Sequence, residues 1–414
     1  MRIAVVGTGI SGLVAAYLLN DDHDLTVFEA NDYVGGHTHT ITVDDPTGPT
    51  NVDTGFIVYN ERTYPNFCKL LARLGVETQL SSMSFSVRDD AADIEYKGDN
   101  LNALFAQRSN LLRWGHYRML LEILRFYRQS RRLLAEPAEK LTMGSYLRQQ
   151  RYSTEFIERH LIPMGAAIWS ADPEQFYDFP AVYFVRFCHN HGMLNILNRP
   201  QWRVIRGGSV QYVRKMTLPF RSKIRTSTPV SVIRRHEDSV EIITDRFGSE
   251  HFDHVIIATH SDQALRMLAD PTRAESDVLG TMRYQRNDVS LHHDTSRLPK
   301  RRKAWSSWNY HIPKQRQSSA VVTYNMNELQ SLRTERTYCV TLNSTDCIDP
   351  NQCIRDLRYD HPVYTTASVV SQRRHAEISG KNRTHYCGAY WGYGFHEDGV
   401  NSALAVCKHF GKEL

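Results

Sequence analysis

The first thirty residues constrain this chain more than any other stretch. Ile3 to Val6 is a short apolar run, the pattern of a strand buried on both faces. Gly7-Thr8-Gly9-Ile10-Ser11-Gly12 follows, then a helix-like stretch from Leu13 to Leu19. A second apolar run, Leu25 to Phe28, ends at Glu29. The order strand, glycine turn, helix, strand predicts a βαβ unit that holds a dinucleotide. Gly7 makes the tight turn, Gly9 lets the backbone approach a pyrophosphate, and Gly12 lets the helix press on the strand. The helix N-terminus offers N–H groups and a partial positive charge to the phosphates. Glu29, 22 positions after Gly7, is placed to accept from a ribose hydroxyl. Met1 to Leu19 is apolar enough to pass for a signal peptide, but Arg2 is its only charge and glycines interrupt it.

The rest of the chain is ordinary in bulk. With 414 residues, 41% hydrophobic and 23% charged, it can bury the cores of two or three domains and is neither disordered nor fibrous. No apolar run approaches the ~20 residues of a membrane-spanning helix. A net charge of +5 suits an anionic ligand or membrane surface and does not imply nucleic acid. Seven scattered cysteines without a C-x-x-C pair argue against a disulfide framework or zinc site and fit a reducing cytoplasm.

From Asn100 to about Leu141 the pattern turns helical. Between Leu101 and Leu134 stand Arg108, Arg113, Arg118, Arg125, Arg128, Arg131 and Arg132, with Glu122 the only carboxylate. Such a segment either lies on an anionic bilayer or acidic partner, or is a solvated face of a cap domain. Ser227 to Ile243 reads as two antiparallel strands, and His251 to Ala258 as a further strand followed by a helix over 262–268. Val289–His293, Ala304–Tyr310, Ala320–Met326 and Tyr338–Leu342 alternate like an antiparallel sheet.

A second glycine pair stands in Tyr33-Val34-Gly35-Gly36-His37-Thr38, followed by Val52-Asp53-Thr54-Gly55-Phe56. A simple NAD unit does not need it; an FAD unit often has it, because the chain passes the pyrophosphate again. With the C-terminal GYGFHEDG, these motifs resemble the flavin-containing amine oxidase superfamily. The stretches EANDYVGGHTHT, VDTGFIVYNERTYPNF, MSFSV and AWSSWNY more narrowly resemble a bacterial family of predicted NAD/FAD-binding oxidoreductases. They are also similar to the flavin-like N-terminal region of plant cyclopropane-fatty-acid synthases. The likeness runs over nearly the whole chain. It implies a glutathione reductase-like Rossmann fold, non-covalent FAD and work on unsaturated acyl chains.

Three departures stand out. Tyr33 and His37 hold places where many amine oxidases have arginine, and His396 holds that of an aromatic near the flavin. No counterpart is evident for the lysine that often positions a water at flavin N5.

The candidate cofactor contacts are Gly7, Gly9, Ile10, Ser11 and Gly12 of the first turn, with Glu29 and Ala30 after the second strand. Gly35, Gly36, His37, Thr38 and Gly55 come from the second glycine region, and Val230 and Thr259 from the returning strands. Gly399 and Val400 would open a helix whose N–H groups stabilise a reduced, anionic flavin. His396 is the candidate catalytic residue, oriented by Glu397 or Asp398, or else a histidine that only packs and hydrogen-bonds. Tyr390, Trp391, Tyr393 and Phe395 either wall the pocket or belong to the core. Arg206-Gly207-Gly208-Ser209 is a flavin contact or a plain turn. Cys387 reads as a buried, unreactive thiol, and the paired histidines 37/39, 189/191 and 292/293 lack the further ligands of a metal site.

The expected fold is α/β. Residues 1–85, 203–285 and 370–414 form a discontinuous FAD domain, interleaved with an α+β substrate domain of 86–202 and 286–369. The expected activity is FAD-dependent oxidation of an apolar, fatty-acyl substrate, flavin N5 taking the hydride and a nearby base or water the proton. One rival is an oxidase of amines or other small polar molecules. The other is a non-catalytic flavin module supporting a lipid methyltransferase. A cytoplasmic protein touching the inner membrane surface fits the acyl reading.

Overall fold

The computed structural model describes residues 1–135, 138, 140–315 and 318–414. At its centre lies a five-stranded parallel sheet in the order Ile224–Arg225, Asp24–Phe28, Arg2–Val6, His254–Ile257 and Thr384–Tyr386. Strand residues point alternately to opposite faces. Ile3 and Val5 therefore join the core beneath the helix Ile10–Leu19, while Ala4 and Val6 pack with Ile233, Ile242 and Phe252 on the other side. Burial on both faces explains the unbroken apolar run. Gly12 sets the helix depth, because a Cβ there would collide with the Gly7 carbonyl oxygen.

A small antiparallel sheet, Val230–Arg235, Val240–Thr244 and Gly248–Phe252, covers one face. The single strand expected over 251–258 is thus two. Asp253 makes the break: its N–H donates to the Arg2 carbonyl, and its carboxylate accepts from the Arg2 N–H at 2.7 Å. Only His254–Ile257 enters the parallel sheet.

A seven-stranded sheet forms the other body, ordered Cys353–Val363, Arg283–His292, Cys339–Leu342, Val321–Asn325, Trp308–Ile312, Phe85–Asp89 and Ile94–Lys97. All its pairs are antiparallel except Trp308–Ile312 with Phe85–Asp89. The strand expected from Ala304 begins later. Arg302–Ala304 is a 3-10 turn, and the Asn309 side chain accepts from Ser306 N–H at 2.9 Å.

The helical stretch after Asn100 is also broken, into Leu101–Leu104, Arg108–Leu112, Trp114–Gln129 and Arg132–Ala135. Gln107 is extended, its side chain tied to Glu95 N–H and the Asp93 carbonyl; Arg113 is extended too. Leu141 lies beyond these helices. Among the described residues no helix is long and apolar enough to cross a membrane.

Candidate active site

The C-terminal ends of the parallel strands open onto a cavity of about 790 Å³. Val6-Gly7, Phe28-Glu29 and Ala258-Thr259 line it where three adjacent strands end, the place where open α/β sheets bind ligands. Its far wall is the seven-stranded sheet and the segment Ile168 to Ser170.

At the sheet end the two glycine turns touch. Gly36 has φ +59°, and a Cβ there would lie 2.9 Å from the Cα of Gly9. A Cβ on Gly9 itself would meet nothing within 4 Å. The space in front of Gly9 is therefore open, at the start of a helix whose first-turn N–H groups have no partner within the helix. Anionic ligands are recognised by such an arrangement. Glu29 holds the rim: it accepts from Thr8 N–H at 2.9 Å, Thr8 Oγ1 at 2.5 Å, and Asn31 N–H and Nδ2 at 2.8 and 2.9 Å. Its oxygens are thereby engaged, so a ribose hydroxyl would displace one donor, the exposed Asn31 amide being the outermost.

His37, His260 and His361 form a second wall, their rings 5.6–5.8 Å from that of His37. Burial lowers His37 and His260 to about 4 and His361 to about 3, so all three are neutral at pH 7. The Nε2 of His37 is buried without a hydrogen-bond partner, a polar atom left for a ligand. Open cradle, helix terminus and unpartnered imidazole together fit the pyrophosphate of FAD.

Part of the lining is apolar: Ile57, Val58, Ile168, Val289, Trp308 and Leu342. Charged residues enter the lining only as Glu29, Arg266, Arg358 and Asp360, and among the described residues no lysine does.

His396 also lines the cavity, with its ring nitrogen engaged. Its ring stacks on Phe56 at 3.4 Å, and Nε2 lies 3.0 Å from both Thr38 Oγ1 and the Tyr212 hydroxyl. Burial holds its pKa well below the usual histidine range. The expected orienting acids do other work. Glu397 caps the helix Pro65–Arg73 by accepting from Asn66 and Phe67 N–H, and Asp398 accepts from Phe395 N–H.

Gly7, Gly9, Ile10, Ser11, Glu29, Ala30, Gly35, Gly36, His37, Gly55, Val230 and Thr259 all reach the cavity wall. Gly12, Thr38, Gly399 and Val400 lie behind it. Thr38 turns to Tyr212 and His396. The C-terminal helix starts at His396 rather than Gly399, whose N–H donates to the Phe395 carbonyl. Gly399 instead allows close helix packing, a Cβ there falling 2.6 Å from Ile10 Cγ2. Arg206–Ser209 is a plain turn, with Ser209 N–H and Oγ donating to the buried Asp53. Tyr390 and Phe395 line the cavity, whereas Trp391 and Tyr393 pack into cores. The Cys387 thiol is buried, and burial pushes its pKa up.

Sequence reasoning missed His260, Tyr359, His361, Trp308 and Tyr324 as lining residues. Trp308 and Tyr324 stand in segments read as strands, but nothing local shows which face meets a cavity.

The family model for flavin-containing amine oxidoreductases matches residues 10–286. A 41-residue stretch, 9% of the chain, is 56% identical to tryptophan 2-monooxygenase of Allorhizobium ampelinum and covers 6% of that protein. Over 282 residues, 65% of the chain, it is 24% identical to the flavin-containing monoamine oxidase AofH of Mycobacterium tuberculosis, covering 59% of it. The matched part thus spans less than two thirds of either relative. Among solved structures, a redesigned putrescine oxidase superposes with a TM-score of 0.70 at 15% identity, covering 99% of this chain and 98% of that one. A fatty acid isomerase from P. acnes that produces CLA gives 0.68 at 15% identity, covering 99% and 98%.

Proposed function

We propose that this chain, a member of the flavin-containing amine oxidoreductase family, is an FAD-dependent oxidoreductase with non-covalent cofactor that acts on an apolar, fatty-acyl substrate. The observation that carries the substrate class is the apolar part of the cavity lining, Ile57, Val58, Ile168, Val289, Trp308 and Leu342. The fold likeness to a fatty acid isomerase is in keeping with it.

Bound in the cradle, FAD supplies a hydride acceptor; the protein supplies position. The turn at Gly7–Gly12 and the helix behind it would hold the pyrophosphate, and the neutral His37 would offer it a hydrogen bond. Trp308, Tyr324 and Ile168 order the substrate and exclude water. A proton leaving the substrate goes to a nearby base or to water. In this proposal residues 1–85, 203–285 and 370–414 hold the cofactor, and 86–202 and 286–369 shape the substrate end. Contact with the inner membrane surface of a cytoplasmic enzyme belongs to the same proposal, since acyl chains reside in lipid.

The test is anaerobic mixing of the FAD-loaded protein with unsaturated fatty acids or lipid extract, following flavin absorbance. Bleaching by acyl compounds and not by putrescine or cyclohexylamine is expected. Bleaching by amines alone overturns the acyl reading in favour of amine oxidation. Bleaching by neither, with a lipid methyltransferase co-purifying, would favour a supporting flavin module.

A further inference from the structure

We propose that the surface formed by Leu112, Trp114, Leu121 and Leu124, with Arg118 and Arg128, docks on an anionic phospholipid bilayer. These four apolar side chains are 92%, 77%, 63% and 49% exposed. Single exposed leucines are ordinary on soluble proteins; a run of them on one face is not. On the helix Trp114–Gln129, positions 114, 118, 121, 124 and 128 recur every three or four residues and form one stripe. The opposite stripe, His116, Met119, Glu122 and Phe126, already fills the contact with the protein. The outward apolar residues are therefore surplus to the fold.

Charge selects the occupant. Glu122 is the only carboxylate between 100 and 135, and it is buried, accepting from Ser153 N–H and Oγ at 3.0 and 2.5 Å. Glu155, on the neighbouring short helix, tucks under Gly115. The stripe thus presents arginine among leucine and tryptophan with no exposed acid from its own segment. Apolar groups for the acyl boundary, an interfacial tryptophan and cations for headgroups are the elements of an interfacial helix. The structure also separates arginines that the sequence presents alike. Arg125 donates to the Gln150 carbonyl and covers Tyr152, and Arg131 donates to the Leu194 carbonyl. Arg118, whose Nε lies 3.7 Å from Glu122 Oε1, and Arg128 are both exposed and remain on the docking face.

The proposal deepens the membrane contact of the functional reading, but its test uses no substrate, so either can fail alone. The FAD-loaded full chain is co-sedimented with phosphatidylglycerol-containing vesicles and with pure phosphatidylcholine vesicles. Binding to the anionic vesicles that weakens with salt is expected. Trp114→Ser with Leu121→Ser, and separately Arg118→Gln with Arg128→Gln, should each lower the affinity at least ~10-fold. All four positions are exposed, so flavin content and melting should stay at wild-type values. Equal binding to both vesicle types, unchanged binding by the variants, or none at low salt overturns the proposal. So does a dimer in gel filtration that the Trp114→Ser/Leu121→Ser variant loses, which would make a second copy the occupant.

Discussion

The Nε2 of His396 lies 3.0 Å from the hydroxyl of Tyr212, and the two rings meet nearly at right angles, 88° apart. Thr38 Oγ1 completes the triangle at 3.0 Å from the same nitrogen. A neutral imidazole held this way orders Phe56 and the turn around Thr38, and we expect it to pack rather than to relay a proton. His396→Phe should keep FAD and reduce its flavin within about tenfold of the wild-type rate, while losing about 1 kcal/mol of stability with the hydrogen bond. Anaerobic stopped-flow and urea unfolding measure both. A rate loss of ~100-fold or more, the usual scale of general acid–base catalysis, would return His396 to the chemistry.

Gly9→Val separates cofactor binding from folding. Gly9 has φ −64°, open to any residue, and a Cβ there has no neighbour within 4 Å. The variant should melt like the apoprotein and elute from gel filtration without flavin absorbance. Stoichiometric FAD in Gly9→Val would put the pyrophosphate elsewhere. Gly12→Val is the contrast, because its Cβ would strike the Gly7 carbonyl; there the fold itself should suffer.

The difference between these glycines was legible in the sequence because both lie in one contiguous turn. The strands Arg2–Val6 and His254–Ile257 were legible for a similar reason: burial on both faces leaves a continuous apolar run. The start of the last helix was not. Its cap is Phe395, a residue without capping chemistry, secured by the Asp398 carboxylate three positions on. The setting of His396 was hidden more deeply, since Tyr212 and Thr38 stand 184 and 358 positions away. Contacts of that range leave no local pattern.

Arg235 and Glu275 form a pair only 3% and 2% exposed, 2.5 Å apart at their closest, and Tyr386 also donates to Glu275 at 2.6 Å. The pair ties the small antiparallel sheet to the helix Arg273–Leu279, and Tyr386 ties that helix to the last strand of the parallel sheet. Arg235→Met would leave a buried carboxylate without its cation and should cost about 3–5 kcal/mol. Adding Glu275→Gln removes the orphaned charge and should restore part of that loss. Urea unfolding of the two variants decides it: a double variant no better than the single would mean that packing, not charge, sets the cost.

Stability should fall steeply as pH drops from about 6.5 to about 4. Burial lowers His37, His160, His191, His260 and His292 to about 4 and His361 and His385 to about 3. Between those values and the ordinary 6.5, the unfolded chain binds protons that the folded one refuses. The unfolded state therefore gains as pH falls, by up to about 1.4 kcal/mol per pH unit for each group. Two aspartates work the other way. Burial raises Asp53 to about 6 and Asp398 to about 7, so the folded state takes up their protons first and is favoured by acid. Glu397 is raised as well. Seven histidines against three carboxyls leave the unfolded chain binding more protons through most of this window, and the net slope is loss of stability toward acid. Urea midpoints at pH 7 and pH 5 give the sign directly. A midpoint at pH 5 equal to or above that at pH 7 would show that the buried carboxyls, rather than the histidines, govern the acid response.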